Sequence, residues 1–266
     1  MELYKLKHRS LIRVSGEDSK VFLQNQLSND ISKVNDSSIQ INALCQHQGK
    51  IIALLWVFLY KQDFLISIPK EMTEVILNRL NFVKFHSRVD FEDITNKFYQ
   101  YGVVNVIGND AYKLFANLGL IISEADKKAD SDLSSWNMHL ISNLIPEVLE
   151  SNSEKFIPQA LNLDIGELGV SFNKGCYPGQ EVVARMHYLG TPKRRLFRFK
   201  SNFKPQVGDK LNVEQSISIK SSGEVIRVVE INNTYHLLAT IEVEHLNDEI
   251  FLNNDREKIL TIFHDK

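Results

Sequence analysis

Cysteine is scarce in this chain: Cys45 and Cys176 are the two thiols among 266 residues. Two residues so far apart do not make a disulfide framework. They are also too few for a four-thiolate zinc or iron–sulfur site within one subunit. Long apolar runs are missing as well. The longest, Ile51–Tyr60, holds ten residues, about half a membrane span. The N-terminal Met-Glu-Leu-Tyr-Lys-Leu-Lys-His-Arg has no apolar stretch of the secretory type. Neither sign of charge dominates, with 31 Lys and Arg against 33 Asp and Glu and a net charge of −2. The chain as a whole therefore does not attract nucleic acid, although a local basic patch still would. Internal repeats and low-complexity tracts are absent. These absences point to a cytoplasmic protein with no membrane association.

What remains is an ordinary globular composition, 43% hydrophobic and 24% charged, in a chain long enough to fold without a metal or disulfide staple. Ser15-Gly16-Glu17-Asp18 has the makings of a helix start, and Leu23, Leu27 and Ile31 then recur every four residues as one apolar stripe. A second helix is expected after Pro69, with Met72, Val75, Ile76, Leu80 and Val83 on its buried face. A third is expected over Ala111–Leu118, stopping at Gly119. Ile51–Leu59 and Phe64–Ile68 read as a hairpin whose first strand is buried on both faces, and Tyr101–Ile107 as a further strand. Beyond residue 192 the texture changes. Leu196–Lys200, Lys210–Val213, Ile217–Lys220, Glu224–Ile231 and His236–Val243 are short strands between turn-rich stretches, as in a small antiparallel barrel or sandwich. The expected fold is α+β, with a body over 1–192 and an all-β module over 193–266.

The densest chemistry lies in Asn173-Lys174-Gly175-Cys176-Tyr177-Pro178-Gly179-Gln180-Glu181. Gly175 and Gly179 permit backbone conformations or close approaches that side chains forbid. Tyr177-Pro178-Gly179 favours a tight turn, with Pro fixing φ and Gly free to take a positive value. A thiol on such a loop is expected to reach solvent, and Lys174 would stabilise its thiolate if the ammonium lay beside it. An inert cysteine on a structural turn is the simpler alternative. Downstream, Arg185, Lys193, Arg194, Arg195, Arg198 and Lys200 follow one another with no acid between them and with Tyr188, Phe197 and Phe199 interleaved. Such a run suits an anion such as a polyglutamate tail, a phosphate or an RNA backbone, and equally a strand edge guarded by charge. Cys45 precedes His47 by two residues, which is a weak metal signal because a site needs three or four ligands.

These residues carry a resemblance. Lys174-Gly175-Cys176-Tyr177-Pro178-Gly179-Gln180-Glu181 resembles the Lys-Gly-Cys-Tyr-x-Gly-Gln-Glu signature of the YgfZ family. The likeness extends through Phe156–Leu163 upstream, and through Val182–Arg185 and Tyr188–Gly190 downstream. Phe22–Asp30 resembles the family's first helix and Gln48-Gly49-Lys50 its glycine-basic turn. The resemblance implies a fold like the aminomethyltransferase (T-protein) of glycine cleavage, an α+β folate-binding body with a C-terminal antiparallel β-barrel. It also implies tetrahydrofolate as cofactor, with Gln159, Asn162 and Arg185 among its contacts. The implied role is that of an accessory protein supporting assembly or repair of iron–sulfur clusters in client enzymes, such as radical-SAM proteins that modify tRNA. In that role Cys176 is the working thiol, Lys174 tunes it, Gly175, Tyr177 and Gly179 shape the loop, and Gln180 and Glu181 orient it.

Two stretches depart from the pattern. The transferases carry a catalytic carboxylate shortly after a glycine turn, and Gly49–Leu54 contains no acid, so the transferase's own reaction is not expected. Family members carry Arg-Ile-x-x-Gly-Ile-Pro where this chain has Leu140-Ile141-Ser142-Asn143-Leu144-Ile145-Pro146. Leu140 and Leu144 thus replace an arginine and a glycine, and Ser142 supplies no charge where the transferases place a folate-binding acid. Two other readings stay open. One is an enzyme, either a folate-dependent one-carbon transferase or a thiol oxidoreductase with Cys45 as resolving thiol. The other is a binding module that holds folate or RNA on the basic strand at 193–200.

Overall fold

In the computed structural model, which describes residues 2–106, 111–115, 117–130, 132–214 and 221–263, alternating apolar segments pair into two antiparallel sheets. The first contains β2 (Arg9–Ser15), β3 (Gln40–Cys45), β4 (Ile51–Tyr60), β5 (Asp63–Pro69) and β6 (Asp90–Asp93) in the order β3-β4-β5-β2-β6. The second contains β1 (Glu2–Lys5), β7 (Tyr99–Val104), β8 (Tyr112–Phe115) and β9 (Leu118–Ser123) in the order β1-β7-β9-β8. The hairpin expected at 51–68 is β4 and β5, paired from Trp56↔Ser67 to Tyr60↔Asp63. Residues 51–58 of β4 are buried on both faces, which is why the run shows no polar alternation.

The helices depart from expectation in two places. α1 (Ser19–Gln26) ends before Leu27, whose N–H still bonds to Leu23. Leu27 instead bridges to Leu44, and Ile31 sits in a single 3₁₀ turn over Ile31–Lys33. All three stripe residues are buried in one cluster, but the helix does not carry them all. Asp30 caps that 3₁₀ turn through the Ser32 N–H, a local bond that competes with helix continuation. The helix expected over Ala111–Leu118 does not form among the described residues: β8 pairs antiparallel with β9, and β9 pairs along β7. Gly119 is a strand residue whose Cβ would lie 2.8 Å from the Tyr112 carbonyl oxygen. Its smallness serves a close approach rather than a helix stop. Tertiary pairing has overridden a weak local signal. The expected end of the preceding strand at 107–110 lies outside the described residues. α2 (Thr73–Val83) follows a 3₁₀ turn after Pro69 and buries Ile76 and Leu80 behind Met72, while Val75 is exposed. α3 (Ser134–Ser142) buries Trp136, Leu140 and Ile141.

The C-terminal strands close a barrel in the order β10-β13-β12-β11-β14-β15. They are β10 (Arg194–Ser201), β11 (Lys210–Val213), β12 (Gly223–Ile231), β13 (Thr234–Glu242), β14 (Ile250–Leu252) and β15 (Asp255–Ile262). The strand expected at Ile217–Lys220 lies outside the described residues. The barrel has its own interior around Phe199, Leu237 and Ile241. Its outward-facing Leu196, Ile226 and Leu238 join Trp56, Trp136 and Val183 in a core shared with both sheets. Barrel and sheets therefore hold each other by apolar burial. Among the described residues no helix is long and apolar enough to cross a membrane.

Candidate functional site

The loop before α4 (Gln180–Leu189) is shaped by its sequence in the way its turn residues require. The Gln180 N–H donates to the Tyr177 carbonyl over 3.1 Å, and Gly179 sits at φ 81°, ψ 0°. That is a type II turn with Pro178 at its first corner and glycine where a positive φ is needed. Gln180 Oε1 also accepts from the Tyr177 N–H at 3.2 Å. A Cβ on Gly179 would lie 2.4 Å from the Gln46 carbonyl oxygen and 2.8 Å from the Gly49 nitrogen. The β3–β4 turn, itself made with Gly49 at φ 76°, therefore rests directly on the loop. Gly175 has open space around it and no positive φ, so the loop's shape does not depend on it as it does on Gly179.

Cys176 projects from this clamped turn into solvent, whereas Cys45 is fully buried. Burial pushes the Cys45 thiol up to about 12, so it stays protonated at neutral pH and makes a poor resolving thiol. Tyr177 is buried. Desolvation raises its phenol well above the ordinary value, and the Cys45 sulfur adds to the rise. Lys174 occupies a position that the sequence reading did not anticipate. Its ammonium donates to the carbonyl of Gln24 at 2.5 Å, to that of Asn29 at 3.1 Å, and to that of Leu27. These carbonyls cluster at the C-terminal end of α1, where the helix leaves acceptors unpaired and its dipole favours a cation. All three ammonium donors are thus engaged there. Burial lowers Lys174 to about 8, opposed by the Asp30 carboxylate. The residue ties the cysteine loop to the end of α1, so the two stretches quoted for the resemblance meet in space.

Cys176, Glu181 and His47 line one open cavity of about 620 Å³. Glu181 stands in the first turn of α4, and His47 at the tip of the β3–β4 turn. The arrangement presents an accessible sulfur nucleophile bordered by an imidazole and a carboxylate, which are proton-handling groups. His47 was legible only as a neighbour of Cys45; its place beside Cys176 depends on the Gly49–Gly179 contact. At the other end of α4 the His187 ring stacks on Phe172, with centroids 3.7 Å apart, and Tyr188 and Leu189 are exposed.

The residues expected to contact a cofactor are spread differently. Gln159 is buried and donates from Nε2 to the Val183 carbonyl at 2.7 Å, while its Oε1 has no partner. Asn162, in the left-handed region at φ 59°, donates to the Leu196 carbonyl at 2.8 Å. Both hold the 158–162 segment to α4 and β10. Arg185 is exposed on α4. In the basic run, Arg194 pairs with Glu242 at 2.9 Å. Arg195 forms a two-pronged bond to Asp164 at 2.5 and 3.0 Å, and Arg198 donates to the Ser142 carbonyl. Much of this charge is therefore spent inside the molecule. Leu144, standing where the family pattern has glycine, adopts φ 54°. The Leu144 and Ile145 N–H groups bond back to Ile141 and Leu140, a Schellman motif that ordinarily takes glycine at this position. The backbone shape survives the substitution at a local cost of about 1–2 kcal/mol.

No family model matches the chain. An uncharacterized protein of Haemophilus influenzae is 27% identical over 267 residues, covering 96% of this chain and 90% of that one. A protein of Vibrio atlanticus named tRNA-modifying protein YgfZ is 28% identical over 278 residues, covering 91% and 84%. One of the same name from Aliivibrio fischeri is 25% identical over 274 residues, covering 92% and 86%. The crystal structure of the glycine cleavage system aminomethyltransferase T from Bartonella henselae superposes with a TM-score of 0.73 at 14% identity, over 99% of this chain and 85% of that one. The fold is therefore that of the aminomethyltransferases, with α+β sheets followed by a closed barrel.

Proposed function

We propose that this chain, which resembles the tRNA-modifying proteins named YgfZ over most of its length, is a tetrahydrofolate-binding accessory factor. In this reading it supports assembly or repair of iron–sulfur clusters in client enzymes of tRNA modification, with Cys176 as the working thiol. The observation that carries the reading is the contrast between the two cysteines. One is sealed in the core, and the other is held in solvent on a turn fixed by Gly179, Gln180 and the Lys174 contacts. A thiol that meets a client or a cluster has to be both accessible and positioned. The same contrast weighs against an intramolecular dithiol oxidoreductase, because Cys45 offers no accessible thiolate.

One cavity, which none of Gln159, Asn162 and Arg185 lines, supports the folate reading. It holds about 360 Å³ between the 155–160 segment, α4 and the barrel, within the size range of small-molecule sites. Phe156, Met186 and Pro192 supply apolar walls for a pterin, and Lys193 supplies a cation for a glutamyl carboxylate. Glu224 supplies a buried carboxylate, already held by Lys155 at 2.9 Å and by Lys210. Tetrahydrofolate would bring a carrier of one-carbon units. The chain's own part is to hold the cofactor and to keep Cys176 in place.

The reading is tested in cells lacking the protein, complemented with the unaltered chain or with Cys176→Ala. Methylthiolated tRNA nucleosides, quantified by mass spectrometry, report one cluster-dependent client directly. Restoration by the unaltered chain and not by the alanine variant is the expected result. Restoration by both would remove the thiol from the mechanism, and an unchanged level in the deletion would remove this client.

A further inference from the structure

A second cluster of charge is buried where the barrel meets the start of β2. Each guanidinium nitrogen of Arg9 is engaged: Nε donates to Ser67 Oγ at 2.8 Å, Nη2 to the Ser67 carbonyl at 2.9 Å, and Nη1 to Glu147 Oε1 at 2.7 Å. Its guanidinium also lies 3.8 Å from the centroid of the Trp56 ring. Arg227 is different. It enters from β12 just past an irregularity in the β12–β13 pairing, and its side chain is 8% exposed. Nη1 donates to Asn137 Oδ1 at 3.0 Å, and Nη2 stands 3.2 Å from Glu147 Oε2. Neither Nη2 nor Nε has an aligned hydrogen-bond acceptor. Among the described residues, two guanidinium groups therefore share a single carboxylate, leaving one buried positive charge without a counterpart there. Buried charges are ordinarily paired and fully hydrogen-bonded.

A cavity of about 220 Å³ opens at this point; Arg227, His8, Asn137 and Glu147 form its polar side, and the rest of its lining is apolar. His8 Nδ1 is also buried without a partner. Burial, reinforced by Arg9 and Arg227, lowers that imidazole to about 4, against the opposing pull of Glu147. We propose that this cavity is an oxyanion site, taking a free phosphate or the carboxylate of a small organic acid against the unsatisfied edge of Arg227, with the His8 ring as a second partner. An anion there supplies the missing charge and the missing acceptors together. Glu147 faces the same cavity, but the two guanidinium groups outweigh its charge. The volume suits a small acid and falls below the range of about 300–1,000 Å³ for larger ligands. The site is separate from Cys176 and from the cavity assigned to folate, so its failure would leave the proposed function standing.

Isothermal titration calorimetry of the full chain, with inorganic phosphate in one arm and glutamate in the other, tests this directly. One arm is expected to show saturable, single-site binding, and that arm identifies the source of the oxyanion. Arg227→Gln is expected to weaken it at least tenfold. His8→Phe removes an orphaned donor and fills part of the cavity, and it should do the same while circular dichroism confirms a folded protein. His8→Phe carries the test if Arg227→Gln does not fold. No saturable heat with either anion at millimolar concentration, or equal affinity in the folded variants, would overturn the proposal.

Discussion

Gly179→Ala is the substitution that most directly probes how Cys176 is held. A residue with a Cβ at φ 81° costs about 1–2 kcal/mol in the left-handed region. The new methyl would also lie 2.4 Å from the Gln46 carbonyl oxygen and 2.7 Å from the Gly49 Cα. Both are backbone atoms, so the β3–β4 turn must retreat by about 1 Å to restore ordinary contact. Adding roughly 1 kcal/mol for that displacement gives a total near 2–3 kcal/mol. For a chain of this size the equivalent fall in Tm is roughly 4–12 °C. Gly175→Ala is the matched control, because its Cβ meets nothing within 4 Å and its cost should stay near 0.5 kcal/mol. Urea unfolding measures both, and alkylation of Cys176 by iodoacetamide reports whether the turn has shifted. If the two variants unfold at the same urea concentration and alkylate at the same rate, the clamp between the loop and the β3–β4 turn does not exist in solution.

Two further outcomes follow from the buried groups. Titration with a thiol-reactive disulfide should register one cysteine in the native protein and two in denaturant. Cys45 is sealed and protonated while Cys176 is exposed, and two fast-reacting thiols in the native state would refute that contrast. His8 gives a pH dependence whose sign is fixed by its lowered value of about 4 against an ordinary 6.5. Between these values the unfolded chain takes up a proton that the folded chain refuses. Stability should therefore be fully present above pH 6.5 and fall as pH drops toward 4, by up to about 3 kcal/mol. Urea midpoints measured across pH 4–7 should show this slope in the unaltered chain and a shallower one in His8→Gln; parallel slopes would show that His8 is not held neutral.

The sequence by itself determined what local chemistry determines. Pro178 and Gly179 favour a tight turn, and the unbroken run Ile51–Leu59 reads as a strand buried on both faces, as its residues 51–58 are. The closely spaced strands after residue 192 give a small β structure. The eight-residue stretch around Cys176 was distinctive enough to indicate relatives that similarity along the chain then bore out. Long-range pairing decided the rest. Tyr112–Phe115 has helix-compatible composition, yet it forms strand β8 because β9, itself paired along β7, offers a partner edge. Lys174 stands two residues from Cys176 in the chain, but its ammonium goes to carbonyls some 150 positions away, because a helix end with unpaired acceptors is a better partner for it. Arg194 and Arg195 look like a free basic strip until Glu242 and Asp164 are brought beside them. In each case the sequence fixes what a group can do, and the partner that wins it is chosen by segments distant in the chain, which only folding brings within reach.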